Sequence, residues 1–160
     1  MKLESMYQEI ILDHYRNPHH KGLREPFDAE VHHVNPTCGD EVTLRVKLDA
    51  ANGHSTVSDV SYDSLGCSIS QASVSVMTDL VVGKDLDEAT RAYDAFLALM
   101  RTKGDTEAAG DVEEVLEDAI AFEGVSKYPA RIKCALLGWM AWKDATARAV
   151  GSRDTTKESA

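Results

Sequence analysis

Apolar residues first recur at helical spacing. Leu3, Tyr7, Ile10, Ile11 and His14 fall on one face of a predicted helix over residues 4–15. Asn17-Pro18 ends it, because proline disfavours helical backbone at the residue before it, and His19, His20, Lys21 and Gly22 read as loop. The period then shortens to two. Residues 30–35 form a candidate strand, broken by Pro36. Residues 41–49 alternate, with Val42, Leu44, Val46 and Leu48 on one face and Thr43, Arg45 and Lys47 on the other, the pattern of a half-buried strand. Ala51-Asn52-Gly53-His54 is a hairpin signal, and Val60 and Tyr62 mark a third strand over residues 58–64. The short connections make the three strands antiparallel.

After Gly66 the helical period returns. Ile69, Ala72, Val76, Met77 and Leu80 share a face, and Gly83 suits the position after the helix. A helix over residues 87–102 turns Ala89, Ala92, Tyr93, Phe96, Leu99 and Met100 inward. Residues 103–110 are polar and glycine-containing, hence loop. A further helix is expected over residues 111–122, with Val112, Val115, Leu116 and Ala119 on one side. Pro129 suits the first position of a last helix carrying Ile132, Ala135, Leu136, Trp139 and Met140. One helix, three strands and four more helices predict an α+β fold: a three-stranded antiparallel sheet with helices packed on one face. Residues 1–150 are expected to form a single domain, followed by a polar, flexible tail over residues 151–160.

Composition narrows the function. With 160 residues, 43% of them hydrophobic, the chain can bury a core without a disulfide framework. Seventeen lysines and arginines stand against 27 acids, a formal net charge of −10. That balance opposes binding to nucleic-acid phosphates and to anionic membrane surfaces. The longest apolar stretch, residues 134–142, is far shorter than the roughly 20 residues of a membrane span. Glu4 and Glu9 interrupt any apolar leader, so a cytoplasmic location is expected.

Three cysteines are an odd number and form no Cys-x-x-Cys pair, which fits neither a disulfide scaffold nor a zinc ribbon. Their positions are informative. Cys38 sits in Pro36-Thr37-Cys38-Gly39-Asp40, a turn between strands. Cys67 sits in Leu65-Gly66-Cys67-Ser68, at a predicted helix start, where the dipole favours a thiolate. Cys134 lies in the opening turns of the last helix beside Leu136, Leu137 and Trp139, and reads equally as a small core residue. Asp40, two residues beyond Cys38, is either a turn former or a group sharing a face with that cysteine. Cys38, Asp40, Cys67 and Cys134 together would supply three sulfurs and one oxygen, enough for tetrahedral zinc. The histidines (His14, His19, His20, His32, His33 and His54) read as surface or core residues, with His32 or His33 the first substitute for Asp40 in a metal set. Trp139 and Trp142 read as core or partner-facing residues.

The chain resembles the U-type iron–sulfur assembly proteins, the IscU, SufU and NifU N-terminal-like group. The resemblance runs through Tyr-Gln-Glu-Ile-Ile-Leu-Asp-His-Tyr-Arg-Asn-Pro at residues 7–18, Asn35-Pro36-Thr37-Cys38-Gly39-Asp40, residues 66–73 (Gly-Cys-Ser-Ile-Ser-Gln-Ala-Ser) and Arg131-Ile132-Lys133-Cys134-Ala135. Two departures point to one branch. Lys133 replaces the histidine that IscU proteins carry before the third cysteine, and residues 101–122 are an added segment; both features look like SufU. The resemblance implies a SufE/NifU-like fold and a zinc-dependent sulfurtransferase. Its partners would be a SufS-type, pyridoxal-phosphate-dependent cysteine desulfurase and a downstream iron–sulfur assembly scaffold. Cys38, Asp40, Cys67 and Cys134 would hold the zinc, and Cys38, flanked by the Gly39 hinge, would accept persulfide sulfur, with Cys134 the next choice. Arg131 and Lys133 would offset the negative charge beside Cys134 or orient Asp40. The alternative is an IscU-like scaffold building a [2Fe–2S] cluster on the same residues; a third reading is a purely structural zinc site.

Overall fold

The computed structural model describes residues 2–36, 39–51, 54–101 and 113–159. The chain opens with α1 (Lys2–Arg16) and continues through β1 (Ala29–Asn35), β2 (Asp40–Ala51) and β3 (His54–Leu65). Then come α2 (Ser68–Val81), α3 (Leu86–Arg101), the single turn α4 (Glu113–Leu116), a 3₁₀ segment over Glu117–Lys127, and α5 (Pro129–Ser159).

The sheet has the order β1-β2-β3, antiparallel throughout. The alternation read along β2 reports its two faces: Val42, Leu44, Val46 and Leu48 are buried, while Thr43, Arg45 and Lys47 are only partly covered. A bulge at Lys47/Leu48 shifts the register with β3, so Val57 and then Val60 and Tyr62 meet the same core. Residues 52 and 53 of the expected hairpin lie outside the described residues, but the flanking Ala51 and His54 pair.

Against this face α5 crosses β1 and β2, while α2 and α3 meet β3. The central strut is α5, whose Ala135, Trp139, Trp142, Ala145 and Ala149 are buried at helical spacing. Phe96 of α3 stacks on Trp139 at a centroid distance of 5.0 Å and meets Phe122 edge-on at 6.0 Å. These contacts form the α+β arrangement expected from the element order.

Two expectations require correction. Instead of one helix over residues 111–122, the chain makes only Glu113–Leu116 and then a 3₁₀ run. Glu117 has φ +46°, in the left-handed region, which breaks the α-helical ladder. Leu116 and Ala119 are buried as expected, but Val115 is 37% exposed, and Val112 lies outside the described residues. The resulting turn lets Ala119, Phe122 and Val125 all reach the core. The second correction concerns the C-terminus: the backbone of α5 continues in helix through Gly151 to Ser159, where the sequence suggested tail. The loop expected over residues 103–110 is outside the described residues. No helix among the described residues is long and apolar enough to cross a membrane.

Candidate metal centre

The site is assembled from the ends of three elements. The first is the β1–β2 connection. Asn35 and Asp40 are the last paired residues of the two strands, and the Gly39 N–H donates to the Asn35 carbonyl at 2.9 Å. Gly39 has φ +73°, a conformation that favours glycine. Asp40 is 0% exposed. Thr37 and Cys38, between these anchors in sequence, lie outside the described residues.

The second element is the start of α2. Cys67 is its N-cap, with extended backbone at φ −72° and ψ 166°. Its N–H donates to Asp40 Oδ1 at 2.9 Å, and its Sγ lies 3.7 Å from Asp40 Oδ2. A capping serine or aspartate would turn its side chain onto the helix N–H groups. Cys67 makes no such bond, and its sulfur faces Asp40 and the Ser70 hydroxyl, 3.8 Å away. The bend before the helix needs Gly66, at φ +143°.

The third element is the second turn of α5. Cys134 is 1% exposed, and Asn35 Nδ2 points a donor at its sulfur from 3.9 Å. Its place relative to Cys67 depends on how closely α5 approaches α2. The Ser73 hydroxyl of α2 donates to the Ala135 carbonyl at 2.6 Å. At Gly138 a Cβ would lie 2.7 Å from Val74 Cβ, closer than side-chain carbons approach, so glycine permits this crossing.

One ligand atom each from Asp40, Cys67 and Cys134 lies within 4.8 Å of the others. The structure thus brings together three of the four residues singled out by sequence. The donor set fits a borderline divalent metal: two sulfurs and a carboxylate oxygen converge, and no cationic side chain pairs with the buried Asp40 among the described residues. The same donors fit an iron–sulfur cluster.

Arg131 and Lys133 are exposed, with no hydrogen bond to Asp40 among the described residues. Arg131 instead lines a shallow apolar hollow with Ile69, Val125 and Tyr128 beside the α2 start. His32 bonds Thr43, and His33 bonds Asp144 at 2.8 Å; neither joins the Asp40 group. Sequence reasoning did not single out Asn35, although it stands inside the Asn-Pro-Thr-Cys-Gly-Asp run. Nor did it give Gly138 a role, because close approach to Val74 leaves no mark in local pattern.

Comparisons with known proteins agree on the family. The NifU-like N-terminal domain model matches residues 6–135. The chain is 40% identical over 152 residues to the zinc-dependent sulfurtransferase SufU of Bacillus subtilis, covering 93% of this chain and 95% of that protein. It is 37% identical over 158 residues to the iron–sulfur cluster assembly scaffold protein IscU of Streptococcus pyogenes, covering 99% and 93%. Among solved structures it is similar to an N-terminal NifU-like protein of Brucella abortus, with TM-score 0.75 and 28% identity, covering 94% of this chain and 99% of that one.

Proposed function

Because the chain belongs to the NifU-like N-terminal domain family and is an iron–sulfur assembly protein of the IscU/SufU type, we propose that it is a zinc-dependent sulfur acceptor serving a cysteine desulfurase. The observation that carries this reading is the convergence of Asp40, Cys67 and Cys134 from three separate elements. Cys38, two residues before Asp40, completes the set in this proposal. Bound zinc would keep the thiolates deprotonated at neutral pH without redox chemistry of its own.

In the relay, the Cys38 thiolate attacks the outer sulfur of a persulfide on the desulfurase. The persulfide S–S bond breaks, the desulfurase cysteine leaves as thiolate, and Cys38 becomes the persulfide. Two observations support Cys38 over the other cysteines. Cys134 is 1% exposed, so a sulfur donor on another protein has no path to it in this conformation. Cys67 is partly buried, with its sulfur against Asp40 and Ser70. In sequence Cys38 directly precedes Gly39, whose backbone lies at φ +73°. Asp40 accepts the Cys67 N–H, and Asn35 directs its amide at the Cys134 sulfur. The partner implied is a SufS-type, pyridoxal-phosphate-dependent desulfurase, with a downstream iron–sulfur scaffold as recipient.

The test combines a desulfurase assay with persulfide trapping. Adding the protein should raise cysteine turnover by a SufS-type desulfurase. Cys38→Ser should abolish both the increase and the trapped persulfide. Persulfide remaining on the Cys38→Ser protein rejects Cys38 as the acceptor, and no increase with the wild type rejects the relay. The 37% identity to a scaffold relative across 99% of this chain favours a second reading, a [2Fe–2S] scaffold. Metal analysis separates the two: about one zinc per chain, against iron with visible absorption.

A further inference from the structure

The end of α1 and the far half of α2 carry a second group of metal-ligating side chains. His14 on α1, His19 in the following loop and Asp79 on α2 each place one ligand atom within 4.8 Å of the others. His19 Nδ1 lies 2.6 Å from Asp79 Oδ2, and His20 Nε2 lies 4.0 Å from Asp79 Oδ1. Asp79 is twelve residues beyond Cys67, about 18 Å along the helix axis at 1.5 Å per residue. This group is therefore separate from the cysteine site.

The cluster is held in place by contacts that leave donors for an ion. Ser75 Oγ lies 2.8 Å from His14 Nδ1 and accepts the His19 N–H at 2.8 Å, so one hydroxyl orients the His14 ring and the His19 backbone. The His14 ring's other nitrogen has no hydrogen-bond partner among the described residues. A hydroxyl bonded to an imidazole nitrogen fixes the ring's orientation, as the outer partners of ligating histidines do. The two imidazole rings stand 4.5 Å apart at 50°. His20 adopts φ +61°, a left-handed conformation uncommon outside glycine, which brings its ring toward Asp79. Beside the cluster lies a cavity of about 270 Å³ lined by Asp79, Glu117 and Asp118. It supplies negative charge and room for water ligands.

We propose that His14, His19 and Asp79 form a second, thiolate-free site for a divalent transition-metal ion, with His20 available as a further ligand. Two imidazoles and one carboxylate with open positions suit zinc or ferrous iron and accept Co²⁺ as a probe. The site lies further along α2 from Cys67 and contains no thiolate, so it holds its ion without competing for the cysteines.

The experiment gives the full chain about one equivalent of zinc, which the thiolate site takes first, and then adds Co²⁺, following visible absorption in wild type, His19→Ala and Asp79→Asn. The His19 and Asp79 side chains are 43% and 39% exposed, so both variants should keep the wild-type circular dichroism. Wild type should bind Co²⁺ with weak d–d bands and no thiolate-to-cobalt charge-transfer band. Each variant should bind it at least about tenfold more weakly. Co²⁺ uptake that appears only with the thiolate band overturns the site. So does equal uptake by wild type and both variants. The wild-type spectrum decides the matter even where a variant fails to fold.

Discussion

Gly66 and Asp40 occupy one space. A Cβ built on Gly66 would lie 2.8 Å from Asp40 Cγ and closer still to Oδ1, so the buried carboxylate fills the place where a side chain at position 66 would be. The φ of +143° at Gly66 reinforces the exclusion. Gly66→Ala should therefore push the carboxylate away from the Cys67 N–H and sulfur. The expected result is a loss of about 1–3 kcal/mol in stability, together with weakened zinc retention. Thermal unfolding and metal analysis of the purified variant check both. A variant that holds zinc as tightly as wild type would show that Asp40 does not need this geometry.

Asp40→Asn separates charge from shape. The amide oxygen can still accept the Cys67 N–H that Asp40 Oδ1 now accepts. The buried negative charge, which has no cationic partner among the described residues, is removed. A buried unpaired carboxylate costs folding free energy and is offset when a cation binds. The metal-free variant should thus melt no lower than the metal-free wild type, while its zinc affinity falls at least about tenfold. Competition against a chelator measures the second quantity. A metal-free variant much less stable than wild type would mean that the carboxylate is structural.

Gly138→Ala tests the crossing of α2 and α5. The new methyl group would meet Val74 Cβ at 2.7 Å and Val74 Cγ2 at 2.8 Å, of which only Cγ2 is absent from alanine. Overpacking of this kind costs about 1–3 kcal/mol. Because Cys134 is one helical turn before Gly138, the same displacement should loosen zinc binding. Val74→Ala in the same chain should recover part of both losses, since the pair is in contact. Additive losses in the double variant would place the cause elsewhere. Urea unfolding of the four proteins supplies the cycle.

The pairing of His33 with Asp144 joins β1 to α5 and predicts an acid-side effect. His33 Nε2 lies 2.8 Å from Asp144 Oδ2, and Arg148 Nε donates to Oδ1 at 3.0 Å. The His33 hydrogen bond first, and that from Arg148 next, hold the Asp144 carboxyl below its ordinary value. A folded-state value below the unfolded one adds stability that is present above the ordinary aspartate range. That stability is lost as pH falls through the folded value. Asp144 is 34% exposed, so the contribution is below about 1 kcal/mol. Asp144→Asn should flatten the acid side of the stability curve and leave the neutral plateau slightly lower. Urea midpoints from pH 7 down to about pH 2.5, below the ordinary aspartate value, check this. An unchanged acid slope would exclude the pair as its source.

The sequence by itself determined the strands, most of the helices and the residues worth watching. The alternation of Val42, Leu44, Val46 and Leu48 follows directly from burial of one sheet face. The 3.6-residue period of α3 and α5 follows from burial of a helical stripe, whereas α2 is buried on nearly every side. The motifs containing Cys38, Asp40, Cys67 and Cys134 stand out because cysteine beside glycine and at helix starts is chemically unusual. Tertiary structure decided the rest. Local periodicity records that a face is buried, but not what lies opposite it. Only long-range contact set Asp40 against Gly66, Val74 against Gly138 and Asn35 against Cys134. Packing of Phe122 against Phe96, with Glu117 in a left-handed conformation, likewise replaced an expected helix by a 3₁₀ run. His14, His19 and Asp79 also read as separate residues until α1 folded back on α2, because their convergence depends on a chain reversal that no neighbouring residue encodes.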